Sequence, residues 1–494
     1  MSAVLGRRRA GVLLHPTSLP GPGPSGTLGN DALRFVDWLV SGGFSVWQTL
    51  PLGPTDAHGS PYSQQSAYAG NPRLLDPRRL AELDELPARM EFDAVHDAPL
   101  DAYRSFARCA SAGQRRAFAA FVRKNRARLL PYGLFELLRR RFDDAPWWEW
   151  PEDLRRRSPR ALRAVIAEER ETFRSIAFRQ YLFDLSWFSL KRYANARGVF
   201  LFGDLPFYVD ANSVEVWWEP HLFRMEADGR LPVVAGVPPD YFNENGQLWG
   251  NPIYAWEAHE ASGFDWWMRR LVLELERFDL LRLDHFRALE SYWEVPGDAT
   301  TARDGCWRRA PGDKLLETLK ARLGEVPLVA EDLGLITDEV RALRDRFALP
   351  GMVVLQFAFD GLPDNPHVPS RHRAAAVVYT GTHDNDTVVG WYAKLDDVTR
   401  GRVHHLFGDD PKMPDVMIDA AYASPAQLAI VPMQDLLGLG SEARMNRPGS
   451  TENNWRWRFA WHDVAPEIAI EARRRAERTG RLQVSDTVFS EKGA

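Results

Sequence analysis

The chain has 494 residues, of which 45% are hydrophobic and 26% charged, and its formal net charge is −5. This balance excludes an intrinsically disordered chain, and it gives no support for general binding to nucleic acid or to an anionic membrane. Two cysteines cannot form a disulfide framework in so long a chain, and the apolar run 10–14 is too short for a signal peptide or a membrane span, so we predict a cytoplasmic protein.

Eight short apolar segments alternate with amphipathic stretches, a pattern typical of parallel βα units. The predicted strands are 10–14, 45–50, 198–204, 279–284, 326–330, 352–357, 375–379 and 427–432. The predicted helices between them include 31–41, 265–277, 313–323, 337–346 and 386–406. Eight such units predict an α/β fold, a (β/α)8 TIM barrel that spans the chain as a single domain, 1–494.

Two insertions are expected in this barrel. Residues 55–195 carry helical patterns rich in Arg and Glu, and we predict an inserted, mostly helical subdomain there. Residues 205–265 are rich in Pro, Gly and Trp, which predicts a structured loop region rather than a helix. The residues after 432 are too few for a C-terminal β-sandwich of about 100 residues, so none is expected.

Polar residues at the carboxyl ends of barrel strands are candidates for catalysis. Alternation along the strand 279–284 places Arg282 and Asp284 on one side. The arginine would lower the pKa of the neighbouring carboxyl and hold it ionised, as a nucleophilic aspartate requires. The alternative is that Arg282 and Asp284 form a buried ion pair that only braces the barrel.

A glutamate follows the apolar strand 326–330 directly. Burial of Glu331 would raise its pKa, which suits a general acid. Asp332 would point the other way and cap the next helix. The alternative is that both acids serve only as helix caps.

A third cluster follows the strand 375–379. His383, Asp384 and Asp386 could bind sugar hydroxyls or a divalent metal, although no second group of ligands stands at a metal-like spacing. Asp386 could instead be the N-cap of the helix that follows.

Taken together, Asp284, Glu331 and Asp384 would lie on three strands at one face of the barrel. Two carboxylates that flank a bond, with an arginine that keeps one of them ionised, are the arrangement of retaining glycoside chemistry. In that chemistry a covalent glycosyl intermediate forms on the nucleophile. An acceptor then displaces it while the acid serves as base. The aromatic content of 12% suits stacking on sugars, and it equally suits a large core.

Many motifs in order make the chain resemble 4-α-glucanotransferase (amylomaltase, or disproportionating enzyme) of the α-amylase clan. The resemblance runs from residue 11 to about residue 459. The motifs are 15–21 (HPTSLPG), 60–62 (SPY), 69–72 (AGNP), 203–209 (GDLPFYV), 236–240 (GVPPD), 246–252 (GQLWGNP), 282–287 (RLDHFR), 331–334 (EDLG), 381–386 (GTHDND), 443–449 (ARMNRPG) and 454–458 (NWRWR). One departure is Glu452-Asn453, where a glycine is usual, and it could alter a local turn.

The resemblance implies a role for each matching residue. Asp284 is similar to the catalytic nucleophile, Glu331 to the general acid/base, and Asp384 to the third carboxylate, which binds sugar hydroxyls and distorts the ring at the cleavage point. Arg282 and His383 are similar to residues that orient the nucleophile and this sugar. The candidate substrate-binding residues are Arg282, His383, Asp204, Tyr62, Asp240, Trp249 and Asn454.

The resemblance also implies the reaction. An α-1,4-glucan would be cut and the piece passed to the 4-hydroxyl of glucose or of a maltooligosaccharide, with no organic cofactor and no catalytic metal. Residues 236–256 resemble the family's long loop over the active site, in which Tyr241, Phe242 and Trp249 would exclude water. The alternatives are an α-1,4-glucan hydrolase on the same scaffold and a glucan-binding protein without activity, although all three carboxylates are present.

Overall fold

The computed structural model describes residues 4–56, 58–239, 244–450 and 452–482. The strands of this part of the chain are β1 (Arg9–Leu13), β2 (Val46–Gln48), β3 (Phe200–Leu205), β4 (Val233–Val237), β5 (Gln247–Pro252), β6 (Leu280–Leu283), β7 (Ser291–Pro296), β8 (Cys306–Arg309), β9 (Leu328–Ala330), β10 (Gly351–Val354), β11 (Ala376–Tyr379) and β12 (Leu428–Pro432). They form two sheets of different kinds.

The larger sheet is a parallel barrel of eight strands. Its order is β10, β11, β12, β1, β2, β3, β6 and β9, and all seven ladders between neighbours are parallel. A backbone hydrogen bond of 2.9 Å from the amide of Ala330 to the carbonyl of Pro350 links β9 to the residue before β10. Each of the eight strands predicted from the sequence overlaps one strand of this barrel, so the predicted TIM barrel is confirmed.

Helices cover the outside of the barrel. In chain order they are α1 (Asn30–Ser41), α2 (Pro77–Ala81), α3 (Ala94–Asp97), α4 (Pro99–Cys109), α5 (Ala112–Lys124), α6 (Arg126–Arg141), α7 (Glu152–Arg155), α8 (Pro159–Glu168), α9 (Arg170–Ala196), α10 (Val214–Trp218), α11 (Trp256–Ala261), α12 (Asp265–Arg277), α13 (Gly312–Leu323), α14 (Asp338–Arg346), α15 (Val388–Ala393), α16 (Asp397–Phe407), α17 (Asp415–Ala423), α18 (Met433–Leu436) and α19 (Pro466–Arg478). Large inward side chains such as Phe202, Met352 and Ile430 fill the barrel interior.

Eight of these helices, α2 to α9, lie between β2 and β3. Their apolar side chains, such as Phe106, Phe135 and Phe178, belong to the same buried cluster as Phe35 of α1 and Val12 of β1. This continuity joins the helical segment to the outer layer of the barrel. Whether residues 55–195 form a unit of their own stays a prediction.

The second sheet differs from the prediction for residues 205–265. This stretch contains the short helices α10 and α11 and the strands β4 and β5, not loops alone. The sheet is antiparallel, in the order β5, β4, β7, β8. The sequence hides it because β4 is VVAGV and β5 is QLWGNP, both interrupted by glycine. Since β4 and β5 follow β3, and β7 and β8 follow β6, the sheet stands on the carboxyl-terminal face of the barrel.

The described part of the chain is helical after the last barrel strand. After Pro432 it contains helices and turns but no strand. Throughout the residues that the structure describes, no helix combines the length and the apolar composition needed to cross a bilayer.

At the amino-terminal end of the barrel strands, a buried arginine links the last described residues of the chain to β1 and to the segment before β12. Arg481 is fully buried, and burial lowers its pKa to about 9. Its guanidinium donates hydrogen bonds of 2.6–2.9 Å to the backbone carbonyls of Tyr422, Arg9, Ser424 and Ala426. One side chain therefore satisfies carbonyls from both ends of the chain and from the segment before β12.

Replacement of this arginine should destabilise the fold. Arg481→Met keeps most of the side-chain volume but removes four buried hydrogen bonds, although the carbonyls of Tyr422 and Ser424 keep a second donor, the guanidinium of Arg8. We therefore expect the free energy of unfolding to fall by about 3 kcal/mol. Urea unfolding monitored by tryptophan fluorescence measures this. The matched control is Arg474→Met on α19, whose side chain is 68% exposed and which should change stability by less than about 0.5 kcal/mol. Equal midpoints for the two variants would contradict the assignment.

Candidate active site

The floor of the site is built by neighbouring residues of β3 and β6. The parallel register pairs Asp204 with Arg282, so both side chains point to the same side of the sheet. The Nη1 group of Arg282 donates to Oδ2 of Asp204 at 2.6 Å, and the arginine side chain is only 7% exposed. The hydroxyl of Tyr62 donates to the same carboxylate oxygen at 2.6 Å. Asp204 thus orients both an arginine and a tyrosine at the barrel mouth.

The second arm of this arginine holds the predicted nucleophile. Nη2 of Arg282 donates to Oδ1 of Asp284 at 2.7 Å, and 28% of the Asp284 side chain is accessible. Burial lowers the pKa of Arg282, but Asp204 and Asp284 raise it more, so the guanidinium remains charged. The predicted contact of Arg282 with Asp284 is present. Its position between two carboxylates was not predicted.

The third partner of this cluster is Glu331, directly after β9. Its backbone amide donates to the carbonyl of Leu283 at 3.1 Å, next to Asp284. Its Oε2 accepts a hydrogen bond of 2.8 Å from the amide of His285, and its Oε1 accepts one of 3.0 Å from the amide of Leu333. The carboxyl group is therefore fixed by backbone groups of two loops.

Burial controls the protonation of both carboxyl groups. It raises the pKa of Glu331 to about 7, with Arg282 opposing and Asp284 reinforcing the shift. It also raises the pKa of Asp284 to about 6, although Arg282 lowers it. The sequence argument expected the arginine to dominate at Asp284. In the structure burial has the larger effect on the pKa of Asp284, and the negative charge of Asp204 adds to it. Between these two values Asp284 is the ionised group and Glu331 the protonated one.

Asp384 lies five residues beyond β11, on the loop that leads to α15. Its Oδ1 accepts a hydrogen bond of 2.7 Å from the amide of Asn446, and its Oδ2 lies 3.4 Å from Nε2 of His383. Burial would raise the pKa of Asp384, but His383 and Asn446 lower it further, so it lies well below its usual range. With 46% of its side chain exposed, this permanently ionised carboxylate faces the open cleft.

Three rings form a wall beside Asp384. The rings of Tyr62 and His383 are stacked at 5.1 Å with an interplanar angle of 22°. Trp455 lies 6.0 Å from Tyr62 and 5.9 Å from His383 between ring centroids. Burial and Asp204 raise the pKa of Tyr62 well above its ordinary value, so its hydroxyl stays a donor. Tyr62 and His383, for which the resemblance implies contact with the same sugar, thus lie side by side, with Trp455 in addition.

Trp249 lies on β5, the second strand of the β4–β5 hairpin. Its ring is 4.7 Å from that of His285, edge to face, and 6.2 Å from that of Tyr208. Burial lowers the pKa of His285 to about 3, so the imidazole under Trp249 is neutral. The hairpin thus reaches the residue next to Asp284. Asp240, Tyr241 and Phe242 lie outside the described residues.

Asn454 is buried, and its side chain bonds to its own loop. It accepts a hydrogen bond from the amide of Arg447 at 3.0 Å and donates to the carbonyl of Ser450 at 2.7 Å. The predicted direct role of Asn454 in substrate binding stays a prediction. Asn453, in the Glu452-Asn453 pair that departs from the family's pattern, has φ 58°. Asparagine tolerates this left-handed region better than most residues.

Two alternative cap assignments are wrong. Asp332 does not cap α14, because its Oδ1 accepts from the amide of Met352 at 2.7 Å and its Oδ2 pairs with Arg344. The N-cap of α15 is Thr387, whose hydroxyl accepts from the amide of Gly390, not Asp386. Asp386 instead bonds Ser441 and Lys394, and so ties the Asp384 loop to its neighbours.

Three residues that border the carboxylates received no role from the sequence: Asn446, His285 and Trp455. All lie inside motifs that carry the resemblance, at positions 443–449, 282–287 and 454–458. The position of a polar or aromatic side chain inside such a motif is the feature of the sequence that could have identified these three residues. In the ranges that the structure describes, no group of three or more His, Cys, Asp or Glu side chains is arranged to hold a metal ion.

Comparisons with known proteins identify the family of this chain. The profile of a family described as 4-alpha-glucanotransferase matches residues 14–463. A 4-alpha-glucanotransferase of Thermus thermophilus is 45% identical, with 96% of this chain and 99% of the relative covered. The corresponding protein of Aquifex aeolicus is 43% identical, with 92% and 95% covered.

The fold agrees as well. The amylomaltase of Streptococcus agalactiae, solved in complex with acarbose, superposes with a TM-score of 0.91 at 34% identity, covering 97% of this chain and all of the other. An amylomaltase of Corynebacterium glutamicum reaches a TM-score of 0.76 at 17% identity, covering 97% of this chain and 76% of the other, and shares the fold. This chain therefore belongs to the 4-alpha-glucanotransferase family.

Proposed function

We propose that Asp284, Glu331 and Asp384 carry out the 4-alpha-glucanotransferase reaction of this family by retaining double displacement. The observation that supports this assignment is the shared position of Arg282 and Glu331 beside Asp284. Arg282 donates a hydrogen bond to Asp284 and favours its charged form, whereas burial raises the pKa of Glu331 to about 7. A nucleophile and an acid are therefore present in the same pH range.

The first step breaks the α-1,4 bond. A carboxylate oxygen of Asp284 attacks the anomeric carbon, while Glu331 donates its proton to the glycosidic oxygen. The released chain then has a free 4-hydroxyl and the remaining glucan is esterified to Asp284. Asp384, ionised at all working pH values, accepts hydrogen bonds from the sugar hydroxyls at the cleavage point and stabilises the positive charge that develops on the ring.

The second step restores the enzyme. Glu331, now a carboxylate, removes the proton of the acceptor's 4-hydroxyl, and that oxygen attacks the anomeric carbon from the side opposite Asp284. The ester bond to Asp284 breaks and a new α-1,4 bond forms. Two inversions give net retention, and no water is consumed.

The substrates that fit are α-1,4-glucans and maltooligosaccharides. The Streptococcus agalactiae amylomaltase bound to acarbose supports this class, since that ligand occupies a related fold. The ring wall of Tyr62, His383 and Trp455 offers apolar surface beside a carboxylate, which suits a sugar's apolar face and hydroxyls. We also propose that the protein works in the cytoplasm, because both its cysteines, Cys109 and Cys306, are free and exposed.

Transfer rather than hydrolysis requires that water be kept from the intermediate. Trp249 supports this function, since its ring rests on His285 next to the nucleophile. It can cover the glycosyl group and still offer a stacking surface to an incoming sugar. An α-glucan hydrolase with the same three carboxylates is the alternative, and the products distinguish the two.

Maltotriose alone as substrate tests the reaction and the nucleophile together. Transfer produces glucose and a ladder of longer maltooligosaccharides, whereas hydrolysis gives maltose and glucose only; chromatography separates these outcomes. Asp284→Asn should lower kcat by at least about a thousandfold, because the amide cannot form the glycosyl ester. The control Asp313→Asn, on the surface of α13, should retain full activity. Comparable rates for the two variants would exclude Asp284 as nucleophile.

Activity should depend on pH in a bell-shaped manner. On the acid side kcat/KM falls as Asp284 is protonated, near pH 6, and on the alkaline side it falls as Glu331 loses its proton, near pH 7. Initial rates of maltotriose conversion between about pH 4 and about pH 9 measure both limbs. A profile that is flat across this range would argue against the two-carboxylate mechanism.

The hairpin is tested by deletion. Shortening residues 241–248 with a short glycine linker should raise the ratio of hydrolysis to transfer by about tenfold or more, because water gains access to the intermediate. Transfer conserves the number of reducing ends and hydrolysis adds one for each bond cut, so a reducing-end assay beside chromatography gives the ratio. If the ratio stays as in the unmodified protein, the hairpin has no role in excluding water.

A further inference from the structure

The β4–β5 hairpin lies at the edge of its sheet, where only β4 pairs with a further strand, β7. Glu244, Asn245 and the residues 247–250 are exposed, and in the described part of its tip only Gly246 is buried. Yet the hairpin places Trp249 against His285 within the active site. A segment so exposed needs support from outside if its tip is to keep one position.

The support comes from the connection between β7 and β8, residues 297–305, which we call the strut. Ala302 in the middle of the strut is fully buried and forms a small apolar cluster with Val234 of β4 and Val295 of β7. Its methyl group lies in front of Gly246, where an added Cβ would come within 3.0 Å of it. The strut therefore packs against the hairpin at Gly246 and at Val234.

A short chain of hydrogen bonds runs through the strut to the hairpin. Nε1 of Trp293 on β7 donates to the carbonyl of Ala302 at 2.8 Å. The amide of Ala302 donates to the carbonyl of Asn245 at 3.0 Å. At the rim, Arg303 lies 3.4 Å from the carboxylate of Glu244, and both side chains are exposed. Trp293 thus holds the backbone of Ala302, which in turn holds the backbone of Asn245 at the tip of the hairpin.

We propose that the strut sets the partition between sugar acceptors and water, and that Trp293 and Ala302 are positioning residues for this purpose. They touch no reacting atom. They act through Asn245 and Gly246 on the placement of Trp249, which covers the site of the intermediate. The inference rests on the proposed water-excluding role of the hairpin, and it adds a determinant that belongs to a different loop of the barrel.

The test is the substitution Trp293→Phe, which retains a ring against Trp307 but removes the donor to Ala302. The hydrolysis-to-transfer ratio on maltotriose should rise about fivefold, the change expected from the loss of one hydrogen bond. Unfolded molecules catalyse neither reaction, so this ratio does not depend on the folded fraction. Ala302→Gly, which keeps both backbone hydrogen bonds and removes only the methyl group, should raise it by about twofold.

The matched control is Trp150→Phe. It removes an indole hydrogen bond of 3.0 Å to the carbonyl of Ala145 in the helical segment, and it should leave the ratio unchanged. An unchanged ratio in Trp293→Phe, or an equal rise in Trp150→Phe, overturns the role of the strut. The variant shortened at 241–248 separates the two proposals: if that variant raises the ratio and Trp293→Phe does not, the hairpin excludes water without the strut. If neither raises it, the hairpin itself has no such role.

Discussion

The active site depends on one guanidinium group placed between two carboxylates. Arg282 bonds Asp204 at 2.6 Å and Asp284 at 2.7 Å, and it lies below the cleft with little contact to water. A buried pair of this kind contributes little net stability, because the desolvation of both partners offsets their attraction. Its value lies in geometry: the planar, forked guanidinium fixes the direction of the Asp284 carboxylate in a way that a lysine could not.

The same arginine affects the protonation of the neighbouring carboxyl groups, because it lowers the pKa of both Asp284 and Glu331. Burial raises the pKa of both groups, and the charge of Asp284 raises that of Glu331 further. Of the two, Arg282 donates a direct hydrogen bond only to Asp284 and so favours the charged form there. Asp204 weakens this effect on Asp284, because it binds Nη1 of the same guanidinium and its negative charge raises the pKa of Asp284. Without that second partner, Asp284 would be more acidic and a weaker nucleophile, so the pair is a compromise between ionisation and reactivity.

Local patterns could predict what is local in this fold. Alternation along one strand placed Arg282 beside Asp284, and apolar segments located all eight barrel strands. The pairing of Arg282 with Asp204 joins residues 78 positions apart and depends on the register of two parallel strands, which no local pattern specifies. The antiparallel sheet could not be predicted from the sequence for a related reason. Its strands are short, contain glycine, and gain their order from pairing across two separate insertions.

Backbone strain marks the residues on which the two sides of the cleft depend. His285 has φ 51° and Trp455 has φ 62°, in a region that costs a non-glycine residue about 1–3 kcal/mol. The hydrogen bond of the His285 amide to Glu331 and that of the Trp455 amide to the carbonyl of Met445 offset this cost. Glycine would adopt either conformation without strain, but it would remove a ring. The backbone amide of His285 bonds Glu331, while its imidazole contacts Trp249. These two requirements together explain why a residue with a strained backbone, and not a glycine, follows Asp284 directly.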